Sequence, residues 1–545
     1  MNEAPETAQT VQEPTLPLAG LENWAGSAEA DGAANNGDEP PASEPKGRPR
    51  FRPIDRRQVR LVQLDVEALV GPDHPVRAIW QLVQQLDLEA YEQPIRAVEG
   101  VAGRTPHDVR VLISVWVYAF SMGVTSGREI ERLFAYEPGL RWLSGDEKIG
   151  YHTLNNFRSQ NEEALQQLFV TVLGVARAEG LIELKRAMQD GTKIRASAGS
   201  DSFRREKHIE EALAEAQEHV EQLLKAEAEA NPQQSARQAA ARRRAAEERV
   251  EKLKAASEAL KQVEQTRKKK GKDPEQARAS LTDPQARIMK QGGGGTRPAY
   301  NAQAVVDGKE GFITAAFVSP SSSDAQLLRQ GVAAVEHNLG QKPKEIVADA
   351  GYTTQGNIAE MAEEQIEFYG SLPDPEKLKA RNRTRDGPSA EFRGEAFPHD
   401  PTTDTCTCPE GKTLVSIGRE VKEKTGRVVN VYRATAADCA GCPLKPQCCP
   451  KARRHGRTVR RTEEVGVLRT FREKMQTEEA RAIYRERSQR AEFPFALIKQ
   501  RFGLRQFRLR GLVKVGLEWL WACLTFNILQ WIRLRSRSQP AQATT

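Results

Sequence analysis

Acidic residues give out toward the C-terminus: after Asp438 there is no further aspartate, and beyond Glu492 the only acid is Glu518. Over the same stretch Arg501, Arg505, Arg508, Arg510, Arg533, Arg535 and Arg537 accumulate, so the formal net charge of +7 is concentrated rather than spread. A one-sided cationic end argues for a polyanionic partner, nucleic acid first. Cysteine is scarce, seven in 545 residues, and six of the seven lie between Cys406 and Cys449. An odd, local set argues against a chain-wide disulfide framework and suits a metal or redox role, or simply reduced thiols. A targeting signal is missing from residues 1–49, where Glu, Ala, Pro and Gly dominate and no basic start precedes an apolar run; a disordered leader is expected. An uninterrupted apolar span is missing too. The most apolar stretch, 512–531, carries Lys514, Glu518, Asn527 and Gln530, polar groups that would be costly at bilayer depth. It reads as a buried amphipathic helix with Leu517, Trp521, Leu524 and Ile528 against a sheet. The glycine run 292–295 lacks the Lys-Ser or Lys-Thr ending of a phosphate-binding loop and reads as flexible.

What the chain does contain follows two periods. Apolar residues recur at helical spacing over 79–88 and 106–120, where Val109, Leu112, Trp116 and Phe120 stand three, four and four apart, and again through Arg128, Ile130, Leu133 and Phe134. The region 72–175 is therefore expected to be all helical. Within it, Thr153 is placed as a helix cap, with Arg158 on the following turn available to phosphate; a capped helix packing Leu154 and Phe157 inward fits the same residues. From 203 to 267 the spacing of Ile209, Leu213, Ala216, Val220 and Leu223 makes a heptad-like seam, broken at Asn231-Pro232 and resumed by Val250, Leu253, Leu260 and Val263. Two helices with a proline break predict an antiparallel hairpin. Strands are predicted over 299–306 and 312–318, joined by the turn 307–310, and over 346–348 and 366–369, with helices between them. The resulting class is α/β, a mixed sheet covered by helices.

Three carboxylates stand out from this frame. Asp349 follows the apolar run Ile346-Val347-Ala348 and precedes Ala350-Gly351-Tyr352, so a strand delivers it into a turn. Asp190 precedes Gly191-Thr192 in similar dress, and Glu492 lies in a late helical segment. Hard oxygen donors of this kind suit Mg²⁺, and two such ions roughly 3.5–4 Å apart activate the attacking oxygen and stabilise the leaving oxygen of a phosphodiester. Taken singly, each acid fits a turn cap or an arginine partner just as well.

Asp190-Gly191-Thr192, Asp349-Ala350-Gly351-Tyr352 and the run from Tyr484-Arg485-Glu486-Arg487 through Glu492 to Lys499 resemble bacterial insertion-sequence transposases of the DDE superfamily, in a branch with a cysteine-bearing insertion before the last acidic helix. Asp283-Pro284 with Arg287, Tyr300-Asn301 with Gln303, and Gly503-Leu504-Arg505 with Phe507 to Gly511 are similar to one branch of these enzymes. The resemblance covers about residues 51–536 and implies a ribonuclease-H-like fold with helices on both faces of the sheet. It implies Asp190, Asp349 and Glu492 as catalytic ligands of Mg²⁺ or Mn²⁺. Tyr484, Arg487 and Lys499 match the family's third motif, although the Arg487-to-Glu492 interval is one residue longer than in related families. With Arg158, Arg505, Arg508 and Arg510 they are the expected DNA or phosphate contacts. The implied reaction is hydrolysis at an element end followed by attack of the freed 3′ hydroxyl on target DNA. A metal-dependent endonuclease without strand transfer and a non-catalytic DNA-binding protein are the alternatives. Partners would be double-stranded DNA, as terminal repeats and target, and a second copy in a homodimer, with no membrane. The location would be cytoplasmic and nucleoid-associated.

The cysteines permit a structural Zn²⁺ site built on Cys439-Ala440-Gly441-Cys442, completed by Cys408 and Cys448, with Cys406 and Cys449 as alternates. The expected organisation is a leader at 1–49; a helical DNA-binding domain at 50–175; a catalytic domain from 176–200, 281–370 and 476–535; a helical hairpin at 201–280; a cysteine-rich insertion at 371–475, with a small sheet around 413–417 and 428–433; and a tail at 536–545.

Overall fold

The computed structural model describes residues 57, 59, 63–97, 105–229, 236–269, 271–372, 388, 392, 394–422, 427–450, 455–462 and 466–538. The leader, the Asn231-Pro232 break, the basic stretch 377–385 and most of the tail lie outside these residues. From Leu64 onward the chain forms one compact unit.

Its centre is strand β1 (Arg186–Arg195). β2 (Phe203–Arg204) and β3 (Ala279–Ser280) pair at the base of the predicted hairpin, whose helices span Glu206–Glu229 and Ala236–Lys269. Ile209 packs with Ala256 and Leu260 while Ala216 packs with Val250 and Leu253, so the two helices run antiparallel. β4 (Arg287–Lys290), β5 (Thr296–Asp307), β6 (Ile313–Ser319), β7 (Glu345–Ala348) and β8 (Glu367–Gly370) complete the main sheet. β5 runs antiparallel to β1 on one side and to β4 and β6 on the other, whereas β1, β7 and β8 are parallel. Helices Leu328–Leu339 and Gln355–Glu363 make the connections that bring β7 and β8 into parallel register. This is the mixed α/β sheet expected from the sequence.

Two local expectations change. The glycine run is an ordered hairpin turn joining β4 to β5: the Gln291 amide donates to the Gly295 carbonyl at 3.1 Å, and Gly294 and Gly295 take positive φ of 92° and 70°. That backbone needs glycine, and no phosphate loop is involved. Asp190 stands in mid-strand rather than at a strand end, because β5 pairs with β1 as far as Arg195. The parallel partner does stop here: the last β1–β7 pair is Gln189 with Ala348, so the β7 side of Asp190 is left open.

The N-terminal region is helical, as expected. The helix Pro75–Val83 has proline in its first turn and His74 Nδ1 as cap, and Val109–Ser121 is capped by Asp108, which accepts from the Arg110 amide at 2.7 Å. The helix carrying Arg158 starts at Tyr151 with Gly150 as its cap, so Thr153 lies inside it and does not cap it.

The C-terminal helix Leu512–Ser538 joins this region to the sheet. Trp519 donates its indole N–H to the Gln303 carbonyl on β5 at 2.9 Å, and Asn527 pairs with both the N–H and the carbonyl of Ile313 on β6, at 2.9 and 2.8 Å. On its other side Trp521 packs against Trp116 and Phe157. The predicted stripe through Trp521 therefore does not lie on the sheet; Trp519 and Asn527 take that place. A helix that is apolar all round has no single inward face to read. It is long and apolar enough to cross a membrane, but most of it is buried within the protein.

The cysteine-bearing region is a five-stranded antiparallel sheet: β9 (His399–Asp400), β10 (Thr405–Thr407), β11 (Thr413–Lys422), β12 (Arg427–Arg433) and β13 (Thr458–Thr462). Phe397, Cys406, Leu414, Tyr432 and Val459 form its own small core.

Candidate active site

Along β1 the side chains alternate, so Asp190 and Thr192 share one face while Gln189, Gly191 and Lys193 share the other. Asp190 is mostly buried, and its Oδ1 accepts the Gly191 amide at 2.7 Å. Burial pushes its carboxyl up to about 6; the Gly191 amide and Arg487 pull the other way, while the charges of Asp349 and Glu492 add to the rise. Asp349 leaves β7 into a turn closed by the Gly351 amide on its Oδ1 at 2.7 Å and the Thr353 hydroxyl on its carbonyl at 2.9 Å. The β1–β7 register sets it just past the end of the strand beside Asp190.

Glu492 arrives from the far end of the chain. The expected single helix carrying Tyr484, Arg487, Glu492 and Lys499 is two, Glu478–Arg490 and Glu492–Gln500, meeting at Ala491. Pro494 explains the break, since it has no N–H to donate to the Arg490 carbonyl four residues back and its ring crowds that oxygen. Beside this break Arg487 reaches both acids: Nη1 lies 3.2 Å from Asp190 Oδ2, and Nη2 lies 3.2 Å from Glu492 Oε1. Lys499, seven residues beyond Glu492 on the second helix, donates to the Thr192 hydroxyl. Burial lowers the Lys499 pKa, opposed by Asp190 and assisted by Arg505. Tyr484 is half-buried, with its ring 5.8 Å from the Arg487 guanidinium.

The exposed arginines gather where β1 ends. Arg505 donates to the Lys499 carbonyl at 3.2 Å, Arg510 donates to the Ser197 carbonyl at 2.9 Å, and Arg508 projects from the same loop. Arg158 does not join them. It is 3% exposed, donates to the Thr125 carbonyl at 2.7 Å, lies over the Trp116 ring and stands 4.0 Å from buried Glu518. As a phosphate contact it is corrected: its charge is used inside the core.

One group escaped the sequence reading. Asp324, in the serine-rich loop before the helix Leu328–Leu339, accepts from Lys193 Nζ at 3.0 Å, Asn301 Nδ2 at 2.6 Å and Gln303 Nε2 at 3.1 Å. The alternation of Asn301 and Gln303 on an inner strand was the signal that a polar partner must face them. Gln303 also accepts from the Tyr352 hydroxyl and from Gln189, so this layer ties the Asp349 turn to the back of β1. Gly191 is where it fits: a Cβ there would stand 1.9 Å from Gln303 Nε2 and 3.0 Å from the Tyr352 hydroxyl. Gly191→Ala is expected to destabilise the protein by about 1–3 kcal/mol, read as a lower urea midpoint. An unchanged midpoint would show that the layer is loose.

Five thiols, of Cys408, Cys439, Cys442, Cys448 and Cys449, line one cavity of about 410 Å³. The Cys408 and Cys439 sulfurs already accept backbone amides, from Lys412 at 3.2 Å and Arg457 at 3.3 Å. Cys406 packs into the core of the small sheet instead and is fully buried, so it drops out as an alternate ligand.

Among the described residues no three His, Cys, Asp or Glu side chains are grouped to hold one metal ion. At the acids the reason is visible, because a guanidinium occupies the space between two of them. The donor set itself fits Mg²⁺ or Mn²⁺: carboxylate oxygens of Asp190 and Glu492 already surround one cation, and Asp349 stands just past the end of the adjoining strand.

The mixed sheet, its covering helices and the helical N-terminal region are consistent with a DDE transposase fold. Residues 64–160 match the family described as Transposase domain (DUF772), and residues 407–532 match the family described as Transposase DDE domain. Together the two matches indicate an insertion-sequence transposase of the DDE class. The second match contains Glu492, while Asp190 and Asp349 lie outside both. No curated protein matches the chain. The family implies action on DNA and dependence on a divalent metal.

Proposed function

We propose that the protein cleaves the ends of an insertion sequence and joins the freed 3′ hydroxyl to target DNA, with Asp190, Asp349 and Glu492 as the acids that hold Mg²⁺ or Mn²⁺. The observation supporting this reading is the convergence of acids from three distant parts of the chain around Arg487, 297 residues from Asp190. Two-metal chemistry activates the attacking oxygen and stabilises the leaving one. In the first step a water oxygen attacks the phosphorus at the element end and the P–O3′ bond breaks, leaving a 3′ hydroxyl. In the second, that 3′ oxygen attacks a target phosphodiester and displaces the target's own 3′ oxygen.

Tyr484, Arg487, Lys499, Arg505, Arg508 and Arg510 hold the phosphates on either side; such contacts fix register and carry no sequence choice. Terminal repeats and target are the DNA partners, and synapsis of two ends calls for a homodimer. The test is an excision and joining assay on a cloned element end, comparing the intact chain with Asp349→Asn. Loss of both steps with DNA binding kept supports the proposal, whereas equal cutting by both proteins rejects the site. Cutting without joining by the intact chain would make it an endonuclease.

We also propose that the thiol cavity takes one structural Zn²⁺ from among Cys408, Cys439, Cys442, Cys448 and Cys449. The donor chemistry supports it, since four thiolates satisfy tetrahedral zinc, and the thiols, not grouped closely enough here to hold an ion, would draw together around it. Elemental analysis of the purified full chain is expected to find about one zinc per chain. Cys439→Ser is expected to lose it, and strong chelators to lower the melting temperature. Zinc content equal in the intact chain and Cys439→Ser would refute the site.

A further inference from the structure

We infer that Arg487 is a resident cation that keeps the acids of the DNA-free protein together and excludes metal until a DNA phosphate draws it away. The inference rests on the proposed role of Asp190, Asp349 and Glu492, and it adds the order in which the site is loaded. Arg487 uses one guanidinium nitrogen on Asp190 Oδ2 and the other on Glu492 Oε1. Asp349 is close enough to act on the same guanidinium. Mg²⁺ needs its oxygens at about 2.0–2.1 Å in near-octahedral order, so it cannot share this gap with a guanidinium. Metal and arginine therefore compete for the same two oxygens.

The geometry also makes the arginine releasable. Each contact is 3.2 Å and single-pronged, longer than the roughly 2.7–2.9 Å of a strong charge-assisted bond and without the two parallel bonds of a fork. Asp190 and Arg487 are both mostly shielded, but Glu492 is 55% exposed, so the bridge is open on one side. A phosphate arriving on that side offers the guanidinium two oxygens in the planar geometry it fits best. Tyr484, with its ring beside the guanidinium on the same helix, gives the displaced side chain a surface to follow. Once Arg487 swings onto phosphate, Asp190 and Glu492 lose their partner and become vacant donors. Metal and DNA then bind with positive coupling.

The experiment is Mn²⁺ binding by the full chain without DNA, followed by electron paramagnetic resonance of the free ion, for the intact protein, Arg487→Ala, Arg487→Gln, Arg487→Lys and Asp190→Asn. Arg487→Gln is included because it keeps the length and packing of the side chain if the alanine variant folds poorly. Arg487→Ala and Arg487→Gln are expected to bind Mn²⁺ at least about tenfold more tightly than the intact chain, with Arg487→Lys between them. Asp190→Asn is expected to abolish the binding. A mixed-sequence duplex is expected to tighten Mn²⁺ binding in the intact chain and to leave Arg487→Gln unchanged. Equal or weaker binding by both folded arginine variants, with Asp190→Asn still losing the ion, overturns the inference and leaves the acid site standing. Binding that ignores Asp190→Asn overturns the acid site itself.

Discussion

Asp190→Asn, Asp349→Asn and Glu492→Gln are each expected to slow Mg²⁺-dependent cleavage of an element end by about 10³-fold or more, with duplex binding largely retained. A loss of that size corresponds to about 4 kcal/mol of transition-state stabilisation, which is what removing a ligand of a charge-stabilising metal can take away. The substitutions are nearly isosteric, so the packing around β1 and the Asp349 turn should survive. Asparagine at 349 keeps an oxygen for the Gly351 amide that closes the turn, and glutamine at 492 keeps one for Arg487. The DNA contacts proposed at Arg505, Arg508 and Arg510 lie on another loop, so binding and cutting should separate. Gel-shift and cleavage measurements on the same preparations give the comparison. Cleavage within about tenfold of the intact chain in any of the three would remove that acid from the catalytic set.

Glu518→Ala should instead cost stability, about 3–5 kcal/mol, because it breaks a buried ion pair and strands the partner. Glu518 is fully buried and accepts the Arg508 amide at 3.0 and 2.9 Å and the Leu509 amide at 2.9 Å, while Arg158 stands 4.0 Å away. Burial raises its carboxyl pKa, with Arg158 and the two amides opposing the rise. Alanine removes the acceptor of two amides and leaves the Arg158 guanidinium uncompensated among Trp116 and its neighbours. Glu518→Gln keeps one acceptor oxygen and should fall between the two. Urea unfolding followed by the fluorescence of the buried tryptophans reads this directly. A loss under about 1 kcal/mol for Glu518→Ala would mean that the core relaxes around a neutralised or rehydrated arginine. The pair thus separates two acids at the C-terminal end: Glu492 is expected to act on DNA, Glu518 to hold the fold.

Much of the architecture is legible in the chain because it is written locally. The β-branched run before Asp349, the helical spacing of Val109, Leu112, Trp116 and Phe120, and the interrupted seam of the hairpin each declare an element and its apolar face. The mixed α/β class follows from strands and helices in that succession, whereas the order of the strands does not. Other features mislead for physical reasons. Arg158 on a polar-looking turn reads as a surface cation, since nothing nearby in sequence announces that Glu518, 360 residues later, will neutralise it in the core. The four glycines read as slack, although two of them supply the positive φ that a tight hairpin needs. Pro494 was the visible sign that the last acidic helix is interrupted.

By itself the sequence determines residue chemistry and period: three acids in turn or helix settings, a basic C-terminal end, a cluster of thiols, and the class of fold. Tertiary structure alone decides which partners meet. It puts Arg487 between Asp190 and Glu492, turns Arg158 inward, and sandwiches the C-terminal helix between sheet and N-terminal helices. Local periodicity reports which side of an element avoids water, whereas the element that covers that side comes from hundreds of residues away and is selected by packing of the whole core.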